Sequence, residues 1–145
     1  MNVKKMLSKL DFLPEKETLK YLKNETKALV ESLKNAIKKE KLDADVFLGG
    51  SFAKGTLIKK DAYDIDIFVR FDWGHEDLTT LLARIIKRAC KNTALEIIRL
   101  HGSRDYFRIK NAKSIIFEII PVLRIKKPRE ARNVTDFSYF HVGYV

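Results

Sequence analysis

The sequence predicts an α+β domain: a long amphipathic helix at the start, then short apolar strands with a second helix among them. Three observations carry this. Leu19, Leu22, Leu29, Leu33 and Ile37, with Thr26 between them, recur at steps of three and four and draw one apolar stripe. Tyr63, Ile65, Ile67, Val69 and Phe71 instead fall at every second position, the period of a strand. At 145 residues, with 46% hydrophobic and 33% charged content, residues 1–145 suit a single domain with its own core.

In chain order, Pro14 has the character of a first-turn proline, with Glu15 and Glu17 near the positive end of a helix that runs to about Lys41. Its lysines, among them Lys20, Lys23, Lys27 and Lys34, read as a wet face. Val46–Leu48 forms a short strand that delivers a Gly49-Gly50-Ser51 turn. The alternating strand Tyr63–Phe71 follows, and Asp72-Trp73-Gly74 breaks it. A helix is expected from about His75 to Lys91, burying Leu78, Leu81, Leu82, Ile85, Ile86 and Ala89. Leu95–Leu100 and Tyr106–Lys110 read as a hairpin around His101-Gly102-Ser103, and Ser114–Ile125 as a β-branched strand. Arg104, Arg108 and Lys110, with Tyr106 among them, read either as a nucleic-acid-binding face or as an exposed edge kept soluble by charge.

The chemistry concentrates in LGGSFAKGTLIKKDAYDIDIFVRF, Leu48 to Phe71. Asp64 and Asp66 share one face of their strand, with the apolar row behind them. Two adjacent carboxylates repel, and a divalent cation removes that problem; oxygen ligands suit Mg²⁺ or Mn²⁺. Upstream, Gly49 and Gly50 permit a sharp turn, and Ser51 is placed to cap a short helix over Phe52–Lys54 whose free N–H groups face an anion. Lys54, Lys59 and Lys60 fall in the spacer, where contacts to phosphate and a solvated loop are equally open readings. Glu118, in IIFEIIP, is an acidic residue among isoleucines, which a bound cation would explain if its strand lies beside the aspartates. A glutamate at the sheet rim is the plainer alternative.

Composition narrows the classes. Lysine and arginine exceed aspartate and glutamate by 29 to 19, so the formal charge is +10 and a polyanion such as nucleic acid is a candidate partner, although many lysine-rich chains are merely soluble. The single cysteine, Cys90, excludes an intrachain disulfide framework and fits a reducing compartment. The amino terminus is charged throughout, which points to a cytoplasmic protein with no membrane partner. There is no zinc-ligand spacing, no Walker loop and no convincing Ser/His/Asp arrangement.

Gly50-Ser51, twelve residues, then Asp64-Ile65-Asp66 resembles the signature of the DNA polymerase β-like nucleotidyltransferases. Within that superfamily, FEIIPVLRI followed by NVTDFSYFHVGYV resembles the archaeal class of CCA-adding tRNA nucleotidyltransferases. From Val46 to the carboxyl end, the resemblance implies a nucleotidyltransferase palm, a mixed, mostly antiparallel sheet with helices on one side. It implies that Asp64, Asp66 and Glu118 are catalytic and hold two Mg²⁺ or Mn²⁺ ions, while Gly50, Ser51 and Lys54 bind nucleotide. Ser138 and His141, from the Ser-x-x-His element, are further nucleotide-binding candidates, His141 having a packed or exposed tail residue as its alternative. The substrates implied are a nucleoside triphosphate, ATP or CTP, and the 3′-hydroxyl of an RNA, tRNA in this class.

Two departures stand out. Glutamate occupies the position of the third carboxylate, usually aspartate, and so adds a methylene. Measured against that class, the expectation is a catalytic domain without the central, body and tail domains, a subunit completed by a second chain, or a stand-alone minimal enzyme. Two other functions remain in view: transfer of a nucleotide to a partner protein, as in toxin–antitoxin pairs, and a non-catalytic nucleotide- or RNA-binding module. The presence of Ser51 and all three carboxylates argues against the last.

Overall fold

The computed structural model describes residues 15–49, 63–72, 74, 77–111, 115–126, 128–133 and 136. Helix α1 spans Glu15–Lys39 and buries Leu22, Leu29, Leu33, Ala36 and Ile37. Leu19, expected on this stripe, is 38% exposed, and Thr18 is buried in its stead. At about 100° per residue, Thr18 lies within roughly 20° of Leu29, whereas Leu19 is turned roughly 80° away. The buried hydroxyl of Thr26 donates to the Leu22 carbonyl at 2.7 Å, which satisfies it within the helix. The helix closes with Lys41 at a φ of 56°, as Lys41 N–H donates to the Lys38 carbonyl and Leu42 N–H to that of Ile37.

Five strands form one sheet: β1 (Ala44–Leu48), β2 (Tyr63–Phe71), β3 (Glu96–Leu100), β4 (Tyr106–Lys110) and β5 (Ile115–Leu123). Their order is β1-β2-β5-β4-β3, with β2 and β5 parallel and the other three pairings antiparallel. A parallel neighbour needs a long crossover, and here α2 (Leu78–Ala89) and the β3–β4 hairpin lie between the two strands in sequence. The two longest strands, β2 and β5, hold inner positions, with β5 at the centre of the sheet. Strand β4 lies between β5 and β3, so the expectation of an exposed edge there is corrected; the edges are β1 and β3. Its residues Phe107 and Ile109 belong to the core.

The core lies on one face of the sheet. Tyr63, Ile65, Ile67, Val69 and Phe71 of β2 join Ile115, Phe117, Ile119 and Leu123 of β5, Phe107 and Ile109 of β4, and the apolar faces of both helices. The expected mixed, mostly antiparallel sheet with helices on one side and a long first helix is therefore the architecture present. Helix α2 begins later than expected, because Asp77 caps it by accepting from Thr80 N–H at 3.1 Å. Glu40 joins the two helices by accepting from Arg84 at 2.8 Å and Arg88 at 3.1 Å. Among the described residues no helix is long and apolar enough to cross a membrane.

Candidate active site on the open face of the sheet

Because the odd-numbered side chains of β2 enter the core, its even-numbered ones stand on the face away from the helices: Asp64 exposed, Asp66 half-buried, Phe68 and Arg70 beyond. The parallel register pairs Asp66 with Glu118 of β5, and the antiparallel register pairs Glu118 with Arg108 of β4. One rung of the sheet therefore reads Asp66, Glu118, Arg108 from strand to strand, at about 4.8 Å per step. Asp64 begins the next rung, beside Ile116 and then Lys110. Glu118 thus shares a face with both aspartates.

The electrostatics of this rung are uneven. Burial pushes the Asp66 carboxyl up from its ordinary value, and the charges of Glu118 and then Asp64 push it further. Neither aspartate side chain makes a hydrogen bond or ion pair with a described residue. Glu118 differs: its Oε1 accepts from Arg108 Nη2 at 3.1 Å. Among the described residues no three His, Cys, Asp or Glu side chains gather closely enough to hold one metal ion. The donor chemistry nevertheless fits a hard divalent cation, since Asp64 and Asp66 offer carboxylate oxygens on one surface, without partners among the described residues, and the Asp64 charge adds to what disfavours ionisation of Asp66.

The turn after β1 approaches this face closely. Gly49 N–H donates to the Asp66 carbonyl at 3.0 Å. A Cβ on Gly49 would lie 2.1 Å from Phe68 Cε2, so glycine is required here by an aromatic ring rather than by an unusual backbone angle. Phe68 in turn stacks on Phe47 with centroids 5.0 Å apart and planes 12° from parallel. Arg70 caps the stack 5.8 Å above Phe47 and grips Asp45 through both Nε, at 2.9 Å, and Nη2, at 2.5 Å. Of the other residues expected at the site, Gly50, Ser51, Lys54, Ser138 and His141 lie outside the described residues.

The sequence grouped Arg104, Arg108 and Lys110 as one basic face, and the structure divides them. Arg104 is committed to the buried Asp136 at 2.6 Å and to the Pro121 carbonyl at 3.2 Å. Arg108 belongs to the carboxylate rung. Its position there had no local signal, because nothing around Tyr106–Lys110 shows which strand will lie alongside. The Phe68 ring against Gly49 had no local signal either, since the glycine reads in the sequence only as permitting a sharp turn.

The family model of the nucleotidyltransferase domain matches residues 30–135. The chain is 38% identical over 134 residues to a CCA-adding enzyme of Nanoarchaeum equitans, covering 92% of this chain and 32% of that protein. It is 31% identical over 135 residues to a CCA-adding enzyme of Saccharolobus islandicus, covering 90% and 32%. The chain thus spans about a third of the length of the curated relatives it matches. Among solved structures, the fold is similar to CdnC of E. coli MS115-1 with ATP, at a TM-score of 0.61 and 20% identity over 97% of this chain and 49% of that one.

Proposed function

The chain belongs to the nucleotidyltransferase domain family, and from that premise we propose that it moves a nucleoside monophosphate from a nucleoside triphosphate to the 3′-hydroxyl of an RNA, in the manner of CCA addition to tRNA. The observation that carries the reading is the set of carboxylates on one open sheet face, Asp64 and Asp66 on β2 with Glu118 on the neighbouring strand. Similarity to CCA-adding enzymes along nine-tenths of this chain favours tRNA as the acceptor.

In this reading Asp64, Asp66 and Glu118 hold two Mg²⁺ or Mn²⁺ ions, which when bound neutralise the triphosphate and lower the pKa of the attacking hydroxyl. The RNA 3′-oxygen attacks the α-phosphorus, the bond to the β-phosphate breaks, and pyrophosphate leaves. Gly50 and Ser51 contribute backbone and hydroxyl donors to the triphosphate, Lys54 a cation, and Ser138 and His141 further phosphate contacts. The core face of β2 and β5 holds the carboxylate strands rigidly, so their side chains are placed without being ordered at the moment of reaction. The basic balance of 29 Lys and Arg to 19 Asp and Glu suits an RNA acceptor. A second chain, or further domains, would supply contacts to the base and to the body of the tRNA.

The test is to incubate the protein with α-labelled ATP or CTP, Mg²⁺, and tRNA lacking its terminal CCA, together with cellular protein. Label at the tRNA 3′-end supports the proposal, and its loss in Asp64→Asn assigns it to this site. Label on a polypeptide overturns the RNA acceptor in favour of protein modification. Binding of nucleotide with no transfer to either leaves a binding module.

A further inference from the structure

Three of the arginine–carboxylate pairs in the sheet region are not built alike. Arg70 meets Asp45 with a fork of two nitrogens, Nε and Nη2. Arg104 meets Asp136 with two nitrogens, Nη1 at 2.6 Å and Nη2 at 3.3 Å. Among the described residues Arg108 meets Glu118 through Nη2 alone, at 3.1 Å, and its Nε is buried with no hydrogen-bond partner. A forked pair is strong and geometrically fixed, whereas a single contact that leaves an orphaned N–H is the easiest of the three to exchange. Both side chains also keep contact with solvent, Arg108 at 33% exposure and Glu118 at 26%. The weak pair is the one that touches the carboxylate rung.

We propose that Arg108 is a positioning residue that competes with the divalent cation for Glu118. The inference rests on the reading of Asp64, Asp66 and Glu118 as the metal-holding set. Without the ion, Arg108 neutralises Glu118 and keeps its carboxylate out of a three-carboxylate cluster. With the ion, Glu118 leaves Arg108 and joins Asp66, its neighbour on the same rung. The glutamate in place of a shorter aspartate suits this role, because its extra methylene gives one carboxylate reach toward either strand. Arg108 thereby sets how much divalent cation the site requires. The ion pair that opposes metal binding is also the one that offsets a third negative charge on this face when the ion is absent.

The experiment measures Mn²⁺ affinity without nucleotide, from the loss of the free-ion electron paramagnetic resonance signal, in the wild-type chain, Arg108→Met, Glu118→Gln and the double variant. Thermal melts run alongside. Arg108→Met is expected to bind Mn²⁺ about 5-fold more tightly, equivalent to ~1 kcal/mol, while its melting temperature without metal stays level or falls. In the Glu118→Gln background the same substitution should change affinity less than about 2-fold. Equal tightening in both backgrounds would mean that Arg108 acts only as a nearby positive charge, and would overturn the competition. Weaker or unchanged Mn²⁺ affinity in Arg108→Met would also overturn it, as the mark of a merely structural pair. If the wild-type chain binds Mn²⁺ and Asp66→Asn abolishes that binding, the metal reading survives a failure of the Arg108 inference. If no variant binds Mn²⁺, both fall together.

Discussion

Replacing Gly49 by alanine tests how the turn at the site is built. The new Cβ would sit 2.1 Å from Phe68 Cε2 and 2.8 Å from Cδ2, so the ring must retreat by more than an ångström to reach ordinary contact at 3.4 Å. An isolated phenylalanine tip would swing aside cheaply. Phe68 is not isolated: it is buried and stacked on Phe47, over which the Arg70 guanidinium lies. Overpacking of this kind costs about 1–3 kcal/mol, and losing the stacked geometry adds about 0.5–1.5 kcal/mol. We expect Gly49→Ala to destabilise the protein by roughly 2–3 kcal/mol, read as the shift of the urea midpoint at constant slope. The decisive arm is a double-mutant cycle. With Phe68→Ala the obstacle is gone, and Gly49→Ala should then cost less than about 0.5 kcal/mol. An equal cost in both backgrounds, or a single variant as stable as wild type, would refute the steric reasoning.

Other outcomes follow from the same structure. Asp66→Asn should lower metal affinity at least about 100-fold, measured by Mn²⁺ titration, yet raise stability without metal. The raised carboxyl means that the wild type loses stability as pH rises from the ordinary aspartate value through the folded one; the asparagine variant should lack that slope in a pH series of melts. Asp136→Ala should cost about 3 kcal/mol by denaturant unfolding, because it strands Arg104 and the backbone N–H groups of Leu123, Arg132 and Asn133. At Asp136, burial acts to raise the carboxyl, but Arg104 and the N–H donors outweigh it and hold it below its ordinary value. Its contribution is complete above the unfolded value and is lost as pH falls through the folded one, so acid melts of wild type and Asp136→Asn should converge below about pH 4. Lys41→Gly should stabilise by about 0.5–1 kcal/mol in thermal melts, because a residue at φ 56° ends α1 where glycine fits without penalty.

What the sequence by itself determined is whatever follows from the local geometry of the chain. The two-residue period of YDIDIFVRF sets Asp64 and Asp66 on the face opposite Ile65, Ile67 and Val69, whatever the strand packs against. The stripe of α1 was legible for the same reason, and its one misplaced residue, Leu19, reflects a step of three read where the helical angle favoured Thr18. Family resemblance supplied the palm architecture, which periodicity alone does not contain. Tertiary structure decided everything that depends on which distant strands become neighbours. It set Glu118 beside Asp66, placed β4 inside the sheet, gave Arg108 to Glu118 and Arg104 to Asp136, and pressed Phe68 against Gly49. A strand's own residues show which face is apolar, but not which strand will cover its edges. That choice minimises exposed apolar surface and unpaired backbone groups over the whole chain at once, so no single segment records it.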